Sequence, residues 1–171
     1  YFASGVSVVT PPELLPAFAT DLPVGPLDVE KSPVGTIAAI QVQGAGTSNT
    51  SVRYARESTL LGTATINATG TGRDLDLVTR PSGLHTFVAA DDGLFRMDST
   101  DGAASWGPGT RVFTPASGED VLGVSLDGGA GLAGANGHGA MVVSGGAVDR
   151  LFRSVPVFSG QDPIGSRWVP S

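Results

Sequence analysis

Apolar residues along this chain fall in short runs rich in Val, Ile, Leu and Thr, and the runs end in Gly, Asn, Asp or Ser. Runs of that length, bounded by turn formers, predict β-strands. They mark strands at 36–43, 51–56 and 59–67, then at 74–79, 84–90, 93–98 and 110–114, and finally at 121–126, 130–135, 139–144 and 148–153. Helical periodicity is nearly absent. Thr10-Pro11-Pro12-Glu13 has capping-box spacing, but Pro16 stops any helix after a turn or two.

The N-terminal part reads differently. Pro23, Pro26 and Pro33 crowd residues 22–34, which predicts an extended connector lying over other structure. The chain therefore divides into a proline-rich arm or connector at 1–35 and a β-repeat domain at 36–171, with units near 36–67, 74–114 and 120–153. Residues 77–99 and 123–144 share a pattern of apolar strand, Gly turn, Ala/Val strand, Gly turn, apolar strand and Ser, with Ser99 and Ser144 spaced 45 apart. Four antiparallel strands repeating every 40 to 50 residues or so is the period of a β-propeller blade. A β-sandwich has turns at a similar spacing. The expected fold is all-β: four-stranded antiparallel repeats of a propeller or part of one, with a sandwich as the alternative.

One motif favours the propeller. Ser99-Thr100-Asp101-Gly102-Ala103-Ala104-Ser105-Trp106 resembles the Asp-box, or BNR repeat, S-x-D-x-G-x-T-W. Ser99, Asp101 and Trp106 match, Ser105 replaces Thr conservatively, and Ala103 stands where Gly is expected. An aspartate in such a turn accepts backbone N–H groups, and the tryptophan supplies an apolar plug between blades. With the flanking Ala89-Ala90-Asp91-Asp92-Gly93-Leu94-Phe95-Arg96, residues 74–153 resemble BNR-repeat propellers, a group that includes photosystem-assembly propellers and sialidases. A closed propeller has about four to eight blades, so the resemblance implies a larger propeller, closure by association of copies, or another β architecture.

Composition narrows the function classes. Glycine occurs 25 times and proline 12 times, and charged residues make up 15%, which excludes long solvent-facing helices. The 16 acids outnumber ten bases, and the arginines are spread singly from Arg53 to Arg167, so no basic footprint for nucleic acid exists. The chain has no cysteine, hence no disulfide, thiolate metal site or cysteine nucleophile. No stretch approaches the roughly 20 apolar residues of a spanning helix. The start at Tyr1 suggests a removed leader or a piece of a longer chain, and the expected location is extracytoplasmic.

Candidate chemistry is thin. Gly129-Ala130-Gly131-Leu132-Ala133-Gly134 is a literal G-x-G-x-x-G, but Asn136-Gly137-His138-Gly139 leaves no room for the helix a nucleotide site needs. Asp91, Asp92, Asp98 and Asp101 could together supply oxygen ligands, so calcium is the one ion suggested; Asp in turns more often serves turn geometry. His85 and His138, the two histidines, lie in no zinc motif. The sialidase resemblance implies an arginine cluster, a Tyr/Glu nucleophile pair and an Asp acid/base. Arg53, Tyr54, Arg56 and Glu57 are the local set that could answer to it, although strand alternation splits them between two faces. Asn49-Thr50-Ser51 and Asn67-Ala68-Thr69 fit the N-glycosylation pattern. The expected function is a non-catalytic binding or structural module of an exported bacterial protein, contacting a protein or glycan partner through its loops. A sialidase-type glycoside hydrolase fragment and a structural β subunit of an extracellular or viral assembly are the alternatives.

Overall fold

The computed structural model describes residues 21–33, 35–44, 50–56, 59–66, 72–80, 83–126, 139–159 and 162–171. Among these residues, twelve strands form three sheets. The first sheet holds β1 (Asp21–Ser32), β2 (Gly35–Gly44), β3 (Thr50–Arg56) and β4 (Thr59–Ile66). The second holds β5 (Gly72–Arg80), β6 (Gly83–Ala90), β7 (Gly93–Ser99) and β8 (Thr110–Phe113). The third holds β9 (Asp120–Leu126), β10 (Gly139–Ser144), β11 (Arg150–Ser159) and β12 (Asp162–Pro170). Each sheet is an antiparallel meander with its strands in sequence order. The first strands of successive sheets pack together, β1 on β5 and β5 on β9. Three radial meanders joined along their first strands are propeller blades, so the chain is an arc of a β-propeller and not a two-sheet sandwich.

Burial follows position in the arc. In the middle blade, β6 is buried at seven successive positions, because both of its faces are covered. Leu84, Val88, Ala90, Phe95 and Met97 join Ile37, Ala39, Val52 and Tyr54 in a core against blade 1. Phe87, Ala89 and Leu94 join Val121, Val124, Met141, Val143 and Phe152 in a core against blade 3. In blade 3, by contrast, β10 alternates buried and exposed residues, with Met141 and Val143 inward and Val142 outward. A continuous apolar run thus marks a strand covered on both faces, and alternation marks a strand covered on one.

Residues 21–32 correct the expected connector: they are β1, the inner strand of blade 1. Proline is tolerated there because an inner strand is a sheet edge, and the pairing with β2 breaks into a bulge between Pro23 and Leu27, where Pro26 lies. The third unit also runs further than expected, to Pro170, since β11 and β12 are its outer strands. The expected strand at 130–135 and the glycine motif at 129–134 lie outside the described residues. Ser99 and Ser144 are not equivalent, for one ends the third strand of its blade and the other the second.

The true repeat is on the inner strands. Asp28, Asp74 and Asp120 recur 46 residues apart (28 to 74, 74 to 120), and they pair across the first hairpin of each blade with Ala39, Ala89 and Ser144. The Asp28 carboxylate accepts the Leu77 N–H at 2.8 Å, and Asp74 accepts the Val124 N–H at 2.9 Å. A second rung repeats beside it: Glu30 accepts from Thr79 N at 3.3 Å and Asp76 from Leu126 N at 2.5 Å. Each carboxylate thereby satisfies an edge amide of the next blade that no strand pairs. The cost is crowding of like charge. Burial first, then the neighbouring Asp28 and Asp74, push the Asp76 carboxyl up to about 6 against the pull of the Leu126 N–H.

Two outcomes follow. Asp74→Ala leaves the Leu75 and Val124 N–H groups without their acceptor and is expected to cost about 1–3 kcal/mol in urea unfolding, while Asp74→Asn costs less. Because the folded-state Asp76 value of about 6 lies above its ordinary 3.8, stability from this group is full below pH 3.8 and is lost as pH rises through 6. Asp76→Asn is expected to flatten that fall between those two pH values in a pH series of unfolding midpoints.

Candidate functional site

The turn from Ser99 to Trp106 connects β7 to β8 and is built around one carboxylate. Asp101 accepts the Ser99 hydroxyl at 2.8 Å, the Ser105 N–H at 2.9 Å and the Ser105 hydroxyl at 2.5 Å. The Ser99 hydroxyl oxygen in turn accepts the Ala103 N–H at 2.9 Å, and Gly107 N–H closes the turn on the Asp98 carbonyl at 2.9 Å. The Ser105 hydroxyl and N–H, with the Ser99 hydroxyl, hold the Asp101 carboxyl down at about 2. Ala103 takes a left-handed conformation, φ 72°, which explains why glycine suits that position. Its methyl is fully buried in the core against blade 1, which offsets part of the backbone strain.

The turn delivers Trp106 to the blade boundary. Its ring stacks on Tyr54 of β3 with centroids 3.7 Å apart and planes within 10°. Tyr54 is fully buried, its hydroxyl 4.0 Å from the Met97 sulfur, and burial pushes its ionisation far above the usual phenol range. The expected cluster of Arg53, Tyr54, Arg56 and Glu57 is therefore corrected. Tyr54 is a packing residue that substrate cannot reach; Arg53 and Arg56 are half-buried on the flanking positions, and Glu57 lies outside the described residues.

The four aspartates considered for calcium are not brought together either. Arg73 donates to Asp91 at 2.5 Å, Arg111 to Asp92 at 2.5 Å, and Asp101 serves its own turn. Among the described residues, no three His, Asp or Glu side chains gather as a metal site. Asp98 binds two groups at once, the buried His85 Nδ1 at 2.6 Å and Arg96 Nε at 2.7 Å. His85 and Asp98 face each other across β6 and β7, and the Arg96 guanidinium lies 5.9 Å from the centre of the Phe87 ring. Burial would raise the Asp98 carboxyl, but the hydrogen bonds from His85 and Arg96 outweigh it and hold the group below its ordinary value.

Arg96 and Asp98 open onto a groove of about 310 Å³ lined also by Gly107, Pro108, Thr110 and Val112. The turn that carries Asp101 also supplies its rim, through Gly107 and Pro108. Sequence reasoning missed this site because His85, Arg96 and Asp98 are dispersed over two strands. Their cross-strand register, which comes with the hairpin at Asp91-Asp92, was the signal that could have found them. His138 lies outside the described residues, as do Asn49 and the sequon at 67–69. No helix of the described residues is long and apolar enough to cross a membrane.

No protein-family model matches the chain, and no curated protein matches it. Among solved structures, a mutant of the NanB sialidase from Streptococcus pneumoniae is similar at 11% identity and a TM-score of 0.49, over 83% of this chain. The chain spans 23% of that protein's length.

The turn makes two measurable demands on stability. Stability from Asp101 is present above its ordinary value of 3.8 and lost as pH falls toward 2, so Asp101→Asn is expected to flatten acid unfolding in that window. Trp106→Ala removes the stack on Tyr54 and is expected to cost about 2–4 kcal/mol by denaturant unfolding, with loss of the aromatic circular dichroism of the pair.

Proposed function

We propose that this chain is a non-catalytic binding module, an Asp-box type propeller segment that takes a glycan or peptide of a partner into the groove beside Arg96 and Asp98. The supporting observation is how its reactive groups are used. Tyr54 is sealed under Trp106, and Asp91, Asp92, Asp98 and Asp101 are each held by cations or by turn donors. The carboxylate that borders the groove, Asp98, is held by His85 and Arg96. The groove offers polar Thr110 and the Arg96–Asp98 pair beside the apolar Pro108 and Val112, a mixture suited to a partly apolar, hydroxyl-bearing ligand. Loop-borne recognition on a rigid sheet frame fits this arrangement.

The test is an NMR titration with a panel of oligosaccharides and short peptides. Saturable amide shifts are expected at Gly107, Thr110 and Val112, and Val112→Lys is expected to remove them while the remaining spectrum is kept. The same samples are expected to leave fluorogenic sialosides uncut; turnover that disappears in Tyr54→Phe would overturn the reading.

A further inference from the structure

Each end of the three-blade arc exposes an apolar face. On blade 3, the face turned away from blade 2 exposes Leu122 (39%), Val142 (37%) and Leu151 (51%), with Val142 and Leu151 directly paired across β10 and β11. On blade 1, the face turned away from blade 2 exposes Leu27 (59%) and Val29 (53%) on β1. Isolated exposed apolar residues carry little meaning, but two apolar patches at opposite ends of a repeat do.

The rungs of the ladder give these two faces related patterns of acceptors and donors. Asp120 of blade 3 holds the place of Asp28 and Asp74, the acceptors of the first rung. Lys31 of blade 1 lies opposite Thr36 as Leu77 lies opposite Thr86 and Val124 opposite Met141, so its N–H holds the place of the first-rung donors. The second rung is missing on both sides together. Where blade 1 has Glu30 and blade 2 has Asp76, blade 3 has Leu122 and Gly123, which carry no carboxylate. Where blade 2 has the donor Thr79, the same offset in blade 1 falls on Pro33, which has no N–H. An acceptor lost from one face and its donor lost from the other leave no orphaned polar group when the two faces meet.

We propose that two copies of this chain associate head to tail, blade 3 of each on blade 1 of the other, to close a six-bladed ring. A chain that carries both unlike halves of one interface forms a heterologous contact, which closes into a ring where the rotation allows. Two three-blade arcs give six blades, a number within the range of about four to eight at which propellers close. Each of the two junctions carries one Asp120 to Lys31 rung and buries Leu122, Val142 and Leu151 against Leu27 and Val29. This inference rests on the blade topology and is independent of what the groove binds.

The test is sedimentation equilibrium of the chain and of paired variants at micromolar concentration. The chain is expected at twice its 17.2 kDa mass. Leu151→Lys and Val29→Glu are each expected to halve that mass, since either one damages both junctions. An equimolar mixture of the two is expected to regain the dimer, because one junction is then wild type and the other sets lysine against glutamate. Leu122→Lys and Leu27→Glu form a second pair should either first variant lose its β circular dichroism. A monomeric wild-type chain, single variants that stay dimeric, a mixture that fails to recover, or a mass that keeps growing with concentration would each overturn the proposal.

Discussion

The arc depends on how its inner strands satisfy their edges. A strand at the centre of a propeller has a partner on one side only, and its other row of N–H groups faces neighbouring blades at an angle that no strand ladder can span. Here the acceptors are carboxylates reaching across from the preceding blade, Asp28 and Glu30 to Leu77 and Thr79, then Asp74 and Asp76 to Val124 and Leu126. A charged acceptor makes the stronger hydrogen bond and fixes the register of one blade against the next. Stacking such acceptors on adjacent strands brings like charges together, and Asp76 shows the consequence in its raised carboxyl. Two apolar cores pack the same blade boundaries that the part-buried rungs cross, so packing and hydrogen bonding specify the same blade spacing.

The acidic balance of the chain takes on a different meaning in that light. Four acids serve the rungs, and others neutralise arginines within the fold: Asp91 with Arg73, Asp92 with Arg111, Asp98 with Arg96, and Glu119 with Arg150. Arg111 and Arg150 also lie over Phe95 and Phe152, covering the rims of the cores with their side chains. Eight of the acids among the described residues are thus committed to contacts within the fold.

Most of the strands were legible from the sequence because period and turn residues agree, as in Gly83–Ala90 and Gly93–Ser99, joined by Asp91-Asp92. The strand β1 was not, because prolines normally argue against a strand and only its edge position and bulge admit them. The 45-residue likeness between Ser99 and Ser144 matched serines at the ends of different strands, whereas the repeat that organises the fold is carried by Asp28, Asp74 and Asp120. Carboxylates on a strand ordinarily read as solvent-facing, so nothing local distinguishes a rung from a surface aspartate; the distinction comes from the neighbouring blade. The same holds for Tyr54, which looked like part of a reactive cluster until Trp106 from another blade was placed over it.

The Ser99 to Trp106 turn and the groove are coupled through one strand end. Asp98 gives its carbonyl to Gly107 and its carboxylate to His85 and Arg96, so the backbone that closes the turn also sets the floor of the groove. Asp101 fixes the turn from within, and the stack of Trp106 on Tyr54 fixes it to blade 1. The groove wall is thereby anchored to a blade other than the one that carries it. Loops held at both ends by buried contacts lose little freedom on binding, which favours recognition by a preformed surface. A left-handed alanine at position 103 is consistent with this: a residue that strains the backbone persists where the surrounding contacts over-determine its conformation, and here the Ser99 hydroxyl and the core under blade 1 both do so.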